Sequence, residues 1–355
     1  MNIRSILAAG PVGLATSTTL AMGVVAAMPA HAALADSSLS PSASVVDGTL
    51  VIHGTNDPDV IAIRLGTEPA VLQVDLGNGA PAQGFDPATF SAISVRLGPS
   101  DDQFSVSPAG QFSNIPLTVR GGLGADTING SSGADRLVGG SGNDTIRGGD
   151  GDDVIFGRTG DDNVDGERGT DTEILGWGRD TALWLPGEGS DVIDGGRGNR
   201  DALTFIGADG NENMAVSANA GHAILTRDLG LIRMDLDNVE RLNLAALSGT
   251  DTVTVGDLTG TELRVANLDL SSAGAGDGLL DSVIVNGTAH ADHVNVEAVG
   301  SVLDVRGLHT DTRIVGNDTA DHLQLATGDG DDFVNVSDAA NTLIDVGIDL
   351  GVDQS

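Results

Sequence analysis

The sequence predicts an all-β chain whose middle is a parallel solenoid of very short strands. Three observations carry that prediction. From Gly121 to about Leu203 the chain can be written in nines, each copy closing on a triplet centred on an aliphatic residue. On both sides, short alternating apolar runs sit between Gly, Asn and Asp residues, as strands do between turns. Neither flank shows helical periodicity over a useful length.

Residues 1–32 are expected to be an address rather than structure. Arg4 supplies a positive start, an apolar run extends from Ile6 to Met28, and Ala30-His31-Ala32 gives a small-x-small cleavage pattern. Cleavage near Ala32–Ala33 would leave a secreted chain. No second apolar run of spanning length follows, so the mature chain is expected to carry no transmembrane segment.

Residues 33–120 read as a β-rich, solenoid-like region with strands at Leu50–His53, Val60–Leu65, Val71–Leu76 and Ile93–Leu97. Residues 205–355 read the same way, with Ala223–Thr226, Ile232–Leu236, Val253–Val255, Val283–Val285, Val294–Val296, Leu323–Leu325 and Val334–Val336. Turns such as Asn56-Asp-Pro-Asp59, Ser100-Asp-Asp102 and Gly249-Thr-Asp251 precede several of these runs. They look like degenerate coils of one continuous solenoid. The spacing is irregular, so a β-sandwich is the alternative for each flank. A continuous solenoid is favoured because repeats need neighbours to cover their open ends.

Charge narrows the function. The 355 residues carry 51 acidic side chains against 17 basic ones, a formal net charge of -34. Every basic residue is Arg; Lys, Tyr and Cys are absent, and aromatics make up 3%. Such a chain would repel a phosphate backbone, which excludes nucleic acid as a partner. It attracts cations, divalent ones above all. Without Cys it has neither disulfides nor thiolate zinc sites, so something else must hold it together.

The repeats in residues 121–204 supply that something. Gly121-Gly-Leu-Gly-Ala-Asp-Thr-Ile-Asn129 is followed without a break by copies starting at Gly130, Gly139, Gly148 and Gly157. Weaker copies start at Gly166 and Leu175, and the pattern resumes at Pro186 and Gly195 after Trp184 and Leu185. The consensus G-G-x-G-x-D-x-U-x is that of calcium-binding repeats in parallel β-helices. The segment therefore resembles the haemolysin-type (RTX) calcium-binding repeat family, over about a quarter of the chain. The resemblance implies a right-handed parallel β-roll or β-helix in which several calcium ions lie between stacked turns.

The physics of each position agrees. Glycines at positions one, two and four permit left-handed backbone and leave carbonyl oxygens uncovered. Position six supplies a carboxylate. Calcium takes roughly six to eight oxygens, which one turn cannot provide and two can. Ile128, Leu137, Ile146, Ile155 and Val164 are expected to point inward. With two repeats per coil, turns eighteen residues apart stack on one edge. Asp126, Asp144, Asp162 and Asp180 would share one edge; Asp135, Asp153 and Asp171 the other, joined by Asp191 if two residues near Trp184 bulge out. The candidate metal-site residues are these eight aspartates with Gly122, Gly124, Gly140, Gly142, Gly149 and Gly151. Asp329, Asp331 and Asp332 form a further candidate calcium turn.

Departures mark weak points. Ser131, Arg158 and Glu167 replace the second glycine, Glu173 takes an inward position, and the roll is expected to distort between Gly166 and Leu185. Trp177 and Trp184 read as core residues, with an exposed sugar-stacking platform as the alternative. His290 and His293 read as surface residues on opposite strand faces. There is neither a His-Glu-x-x-His motif nor a Gly-x-Ser-x-Gly elbow. The expected function is that of a secreted, non-catalytic calcium-binding repeat protein whose folding needs calcium, with a cell-surface, extracellular structural or adhesion role. Cell-surface or extracellular polysaccharide is its candidate macromolecular partner. The alternative is a calcium-dependent β-helical enzyme acting on polysaccharide.

Overall fold

The computed structural model describes residues 40–66, 71–107, 115–198, 200–272 and 274–351. The expected leader, residues 1–32, lies outside them. Among the described residues the chain forms two long sheets of 15 strands each, plus one two-stranded ribbon.

In the repeats each coil gives one strand to each sheet. Leu117–Leu123, Arg136–Ser141, Val154–Thr159, Thr172–Gly178 and Val192–Gly198 are neighbours in one sheet. Thr127–Asn129, Thr145–Asp150, Asn163–Arg168, Thr181–Trp184 and Ala202–Ile206 are neighbours in the other. Pairing is parallel, and Thr118 faces Arg136, which faces Val154, which faces Thr172, a constant step of 18 residues. A constant step puts like positions on top of one another, so one hydrophobic residue per triplet builds a continuous apolar column. Leu137 and Ile155 form it on one sheet, and Ile128, Ile146 and Val164 on the other; all are buried.

The distortion falls later than the sequence suggests. The 18-residue step persists to Thr181, opposite Asn163. Only after Trp184 does it lengthen, to 20 between Thr172 and Val192 and to 21 between Thr181 and Ala202. The extra residues form a local turn in which Trp184 Nε1–H donates to the Gly189 carbonyl (2.8 Å).

Both flanks continue the same two sheets, which removes the sandwich alternative. Their irregular spacing has a physical source: several coils are extended by antiparallel hairpins. Asn213–Asn219, His222–Arg227 and Ile232–Asp237 pair antiparallel, so Asp235 becomes the partner of Val192, 43 residues away. Val60–Leu65 pairs antiparallel with Leu72–Asp75, and His293–Val299 with Val302–Arg306. A single core of Val, Ile, Leu and Ala with a few Phe and Met runs from Leu50 to Ile344. No helix of the described residues is long and apolar enough to cross a membrane.

Candidate metal centre

The turns that join the strands stack as closely as the strands. Gly140 and Gly142 have φ of 135° and 124°, outside the range most side chains adopt. A Cβ on Gly140 would collide with the Gly122 carbonyl oxygen, and one on Gly142 with the Gly124 carbonyl oxygen. Gly149, on the opposite edge, meets the Ser131 carbonyl oxygen, and Gly151 the Gly133 carbonyl group, in the same way. The glycines thus allow a spacing in which backbone oxygens line the gap between turns.

Into that gap project the position-six carboxylates, all buried. On one edge the Asp126 N–H donates to Asp144 Oδ1, Asp144 N–H to Asp162 Oδ1, and Asp162 N–H to Asp180 Oδ1, each 2.8 Å. On the other edge Asp135 N–H donates to Asp153 Oδ1 (2.7 Å), Asp153 N–H to Asp171 Oδ1 and Asp171 N–H to Asp191 Oδ1 (both 2.8 Å). The two-residue insertion therefore leaves Asp191 in line. Each amide uses only one carboxylate oxygen. Oδ2 of Asp126, Asp144, Asp153, Asp162, Asp171 and Asp180 is buried with no hydrogen-bond partner.

The residues fit a hard divalent cation. Buried polar atoms almost always have partners, and six orphaned carboxylate oxygens in two rows call for a positive charge. No group of three or more His, Asp or Glu side chains among the described residues could hold a metal by itself. An ion between stacked turns would share their carboxylates with backbone carbonyls, the ligand set of calcium rather than of zinc. The family model for the RTX calcium-binding nonapeptide repeat (4 copies) matches residues 118–146, 138–173, 147–182 and 187–200. Residues 118–200 are RTX calcium-binding repeats. No curated protein matches the chain.

Without metal, the RTX carboxyls are held far from their usual range. Burial, the largest cause, pushes Asp126, Asp144, Asp162 and Asp171 up to about 7 and Asp153 to about 8. The amide from the preceding turn pulls each back, and carboxylates one coil away push it up again. Asp135 and Asp191 rise to about 6 for the same leading reason, and Asp180 also rises. Asp135 differs in kind: Ser131 N–H donates to its Oδ2 (2.6 Å) and Ser131 Oγ to its Oδ1 (3.0 Å). Ser131 thus satisfies a carboxylate from within its own turn.

The other irregular RTX positions behave differently from one another. Arg158 and Glu167 keep the left-handed backbone of the glycine they replace, with φ of 89° and 61°. Glu173 is 1% exposed, its Oε2 has no partner, and burial holds its carboxyl well above the usual range. Trp184 is core, 1% exposed and stacked on Phe205 at 4.2 Å. Trp177 is not core: it is 58% exposed, because it stands at position three, in register with Thr159 and Arg197. His290 and His293 are both exposed.

The carboxylate rows extend past the residues that sequence reasoning singled out. Asp201 Oδ1 accepts from Asp180 N–H (2.8 Å) and its Oδ2 is an orphan; one extra residue in the last copy hides it from the nonapeptide frame. Farther on, Glu212 N–H donates to Asp251 Oδ1 (2.8 Å) and Asp251 N–H to Asp281 Oδ1 (2.9 Å). There the turn Gly207–Glu212 keeps Gly at one and four and an acid at six. Buried Arg227 pairs with Glu212, so this carboxylate already has its cation. Of the Asp329, Asp331 and Asp332 turn, only Asp332 joins a row, accepting Asp292 N–H (2.8 Å) with an orphaned Oδ2; Asp329 and Asp331 are exposed.

Proposed function

We propose that this chain is a secreted, non-catalytic protein whose β-roll folds on calcium and serves outside the cell as a structural or adhesion element. One observation carries the calcium-dependent part: the two rows of buried RTX carboxylates, six of whose eight aspartates keep an oxygen without a hydrogen-bond partner. In the fold these groups are either protonated or bound to cations. At neutral pH protonation costs free energy against the unfolded chain, and calcium removes that cost. Folding and binding then become one event, driven by the calcium level outside the cell.

Support for secretion comes from residues 1–32, with their Arg start, apolar run and Ala-His-Ala site. That segment points to the general export route rather than a channel read from the C-terminus. Support for a non-catalytic role comes from the buried carboxylates themselves. They are tied to backbone amides of the preceding turn, which suits ion binding and leaves them out of reach of a polymer substrate. Polysaccharide at the cell surface remains the proposed macromolecular partner.

Equilibrium dialysis against labelled calcium tests the central reading. The mature chain is expected to bind several ions; no uptake at millimolar calcium would end it. Incubation with pectin and alginate in calcium tests the non-catalytic part. No product is expected, and product that disappears on mutating one flank Asp would replace this reading with the enzyme.

A further inference from the structure

The turn Leu97-Gly-Pro-Ser-Asp-Asp102 lies ahead of the matched residues and out of step with the 18-residue repeat, since Asp102 and Asp126 are 24 residues apart. Its geometry is nevertheless that of a repeat. Four hydrogen bonds tie consecutive turns in the RTX segment, and all four recur between this turn and Gly121–Asp126. Ser100 N–H donates to the Leu123 carbonyl (2.6 Å), as Gly124 N–H does to Ser141 (2.7 Å). Ala125 N–H donates to Asp101 Oδ1 (2.8 Å), as Asp161 N–H does to Asn143 Oδ1 (2.8 Å). Asp102 N–H donates to Asp126 Oδ1 (2.9 Å), as Asp126 N–H does to Asp144 Oδ1 (2.8 Å). Thr127 N–H donates to the Asp102 carbonyl (2.8 Å), as Thr145 N–H does to Asp126 (2.8 Å).

The backbone matches as well. Gly98 has φ of 134°, the value found at Gly122, and Ser100 follows at 142° where the repeats have glycine. A Cβ on Gly122 would strike the Gly98 carbonyl oxygen, and one on Gly124 the Ser100 carbonyl oxygen. The gap is thus lined by the same carbonyls as between RTX turns. Asp102 is 1% exposed, and its Oδ2, like that of Asp126, has no hydrogen-bond partner.

One turn earlier the arrangement ends. Asp59 donates its N–H to Asp102 Oδ1 (2.8 Å) and so belongs to the same row. Its own Oδ2, however, receives Thr55 N–H (2.5 Å) and Thr55 Oγ1 (3.1 Å). Thr55 does for Asp59 what Ser131 does for Asp135 at the head of the opposite row. A hydroxyl residue at position two closes each row with neutral donors.

We infer that the turns Leu97–Asp102 and Gly121–Asp126 hold a calcium ion of their own, and that Thr55 ends the array before Asp59. The inference rests on the calcium reading of the RTX turns and extends it to residues outside them. Asp102 and Asp126 supply carboxylate oxygens, and the backbone of both turns supplies the rest.

The test is ion stoichiometry of the full chain, by equilibrium dialysis, for wild type, Asp102→Asn and Asp59→Asn. Asn at 102 keeps an Oδ1 for the Asp59 amide and removes only the negative charge. Asp102→Asn is expected to bind one ion fewer per chain, and Asp59→Asn the same number as wild type. A full ion count in natively folded Asp102→Asn overturns the site, and a lost ion in Asp59→Asn overturns the boundary. Should Asp102→Asn fail to fold, anomalous difference density from wild-type crystals grown in calcium decides. A peak between Asp102 and Asp126 is expected. Peaks between Asp126 and Asp144 without one there sink this inference alone; no peak at either place sinks the calcium reading of the repeats too.

Discussion

Replacing Glu173 by Leu should make the calcium-loaded protein more stable. Glu173 occupies an inward position between Ile155 and Ile193, in register with both. Burial is the main force raising the pKa of its carboxyl; the charges of Asp191, Asp171 and Asp165 add to it, and only the Gly166 amide opposes them. A buried polar oxygen left unpaired costs roughly 1–3 kcal/mol, and because the unfolded chain ionises this group near pH ~4.3, a raised folded pKa adds a cost that grows as pH rises above that. Leu fills a similar volume and removes both this cost and the orphaned Oε2. The sign sets the pH dependence. A raised folded pKa means the favourable contribution is fully present below the unfolded pKa and is lost as pH rises. The advantage of Glu173→Leu over wild type should therefore be smallest near pH 4.5, roughly 1–3 kcal/mol from the relieved oxygen, and grow as pH rises toward 7. Urea unfolding at saturating calcium, at both pH values, measures it, with Glu173→Gln separating charge from shape. A Leu variant that is less stable than wild type, or an advantage that ignores pH, would refute the reasoning and show that the carboxylate has a cationic partner.

Further predictions concern the same coils. Because Asp126, Asp144 and Asp162 stand at about 7 and Asp153 at about 8 without metal, the metal-free fold should be most stable in acid and lose stability as pH rises from about 4, where these groups ionise in the unfolded chain, to about 8. Circular dichroism in chelator should show more β-structure at pH 5 than at pH 8, and calorimetry in buffers of different ionisation heat should show proton release on calcium binding near pH 7. Glu167→Gly relieves a left-handed φ of 61° and should gain roughly 0.5–1 kcal/mol after glycine's greater unfolded freedom is counted; a loss would mean that Glu167 makes a compensating contact. Trp184→Ala should cost roughly 3–5 kcal/mol as a buried, stacked ring, while Trp177→Ala should cost under about 1 kcal/mol. Equal shifts in the two unfolding midpoints would contradict this assignment.

Much of the repeat segment was legible in the sequence because its information is local. A fixed step of 18 residues places each Asp over the next, so the two rows from Asp126 to Asp180 and from Asp135 to Asp171 can be counted without coordinates, and Asp191 joins once the two-residue insertion bulges out. The exposure of Trp177 was available in the same frame, at an outward position three, but the average burial of Trp prevailed in the reading. The flanks were legible as strands and illegible as coils. Their register depends on hairpins, such as the one that brings Asp235 beside Val192, and no local pattern announces how long an excursion will be. Asp102, Asp201 and Asp251 were missed as members of the carboxylate rows because each has the right neighbours in space and an irregular spacing in sequence. The pairing of Glu212 with Arg227 depends on a hairpin as well.

Circular dichroism of the mature chain at pH 7.5, followed from chelator to excess calcium, tests the account most directly. It predicts that the β-signal is largely absent at the start and rises together with ion uptake. A full β-signal in chelator, unchanged by calcium, would show that the buried carboxylates need no metal and would contradict the account.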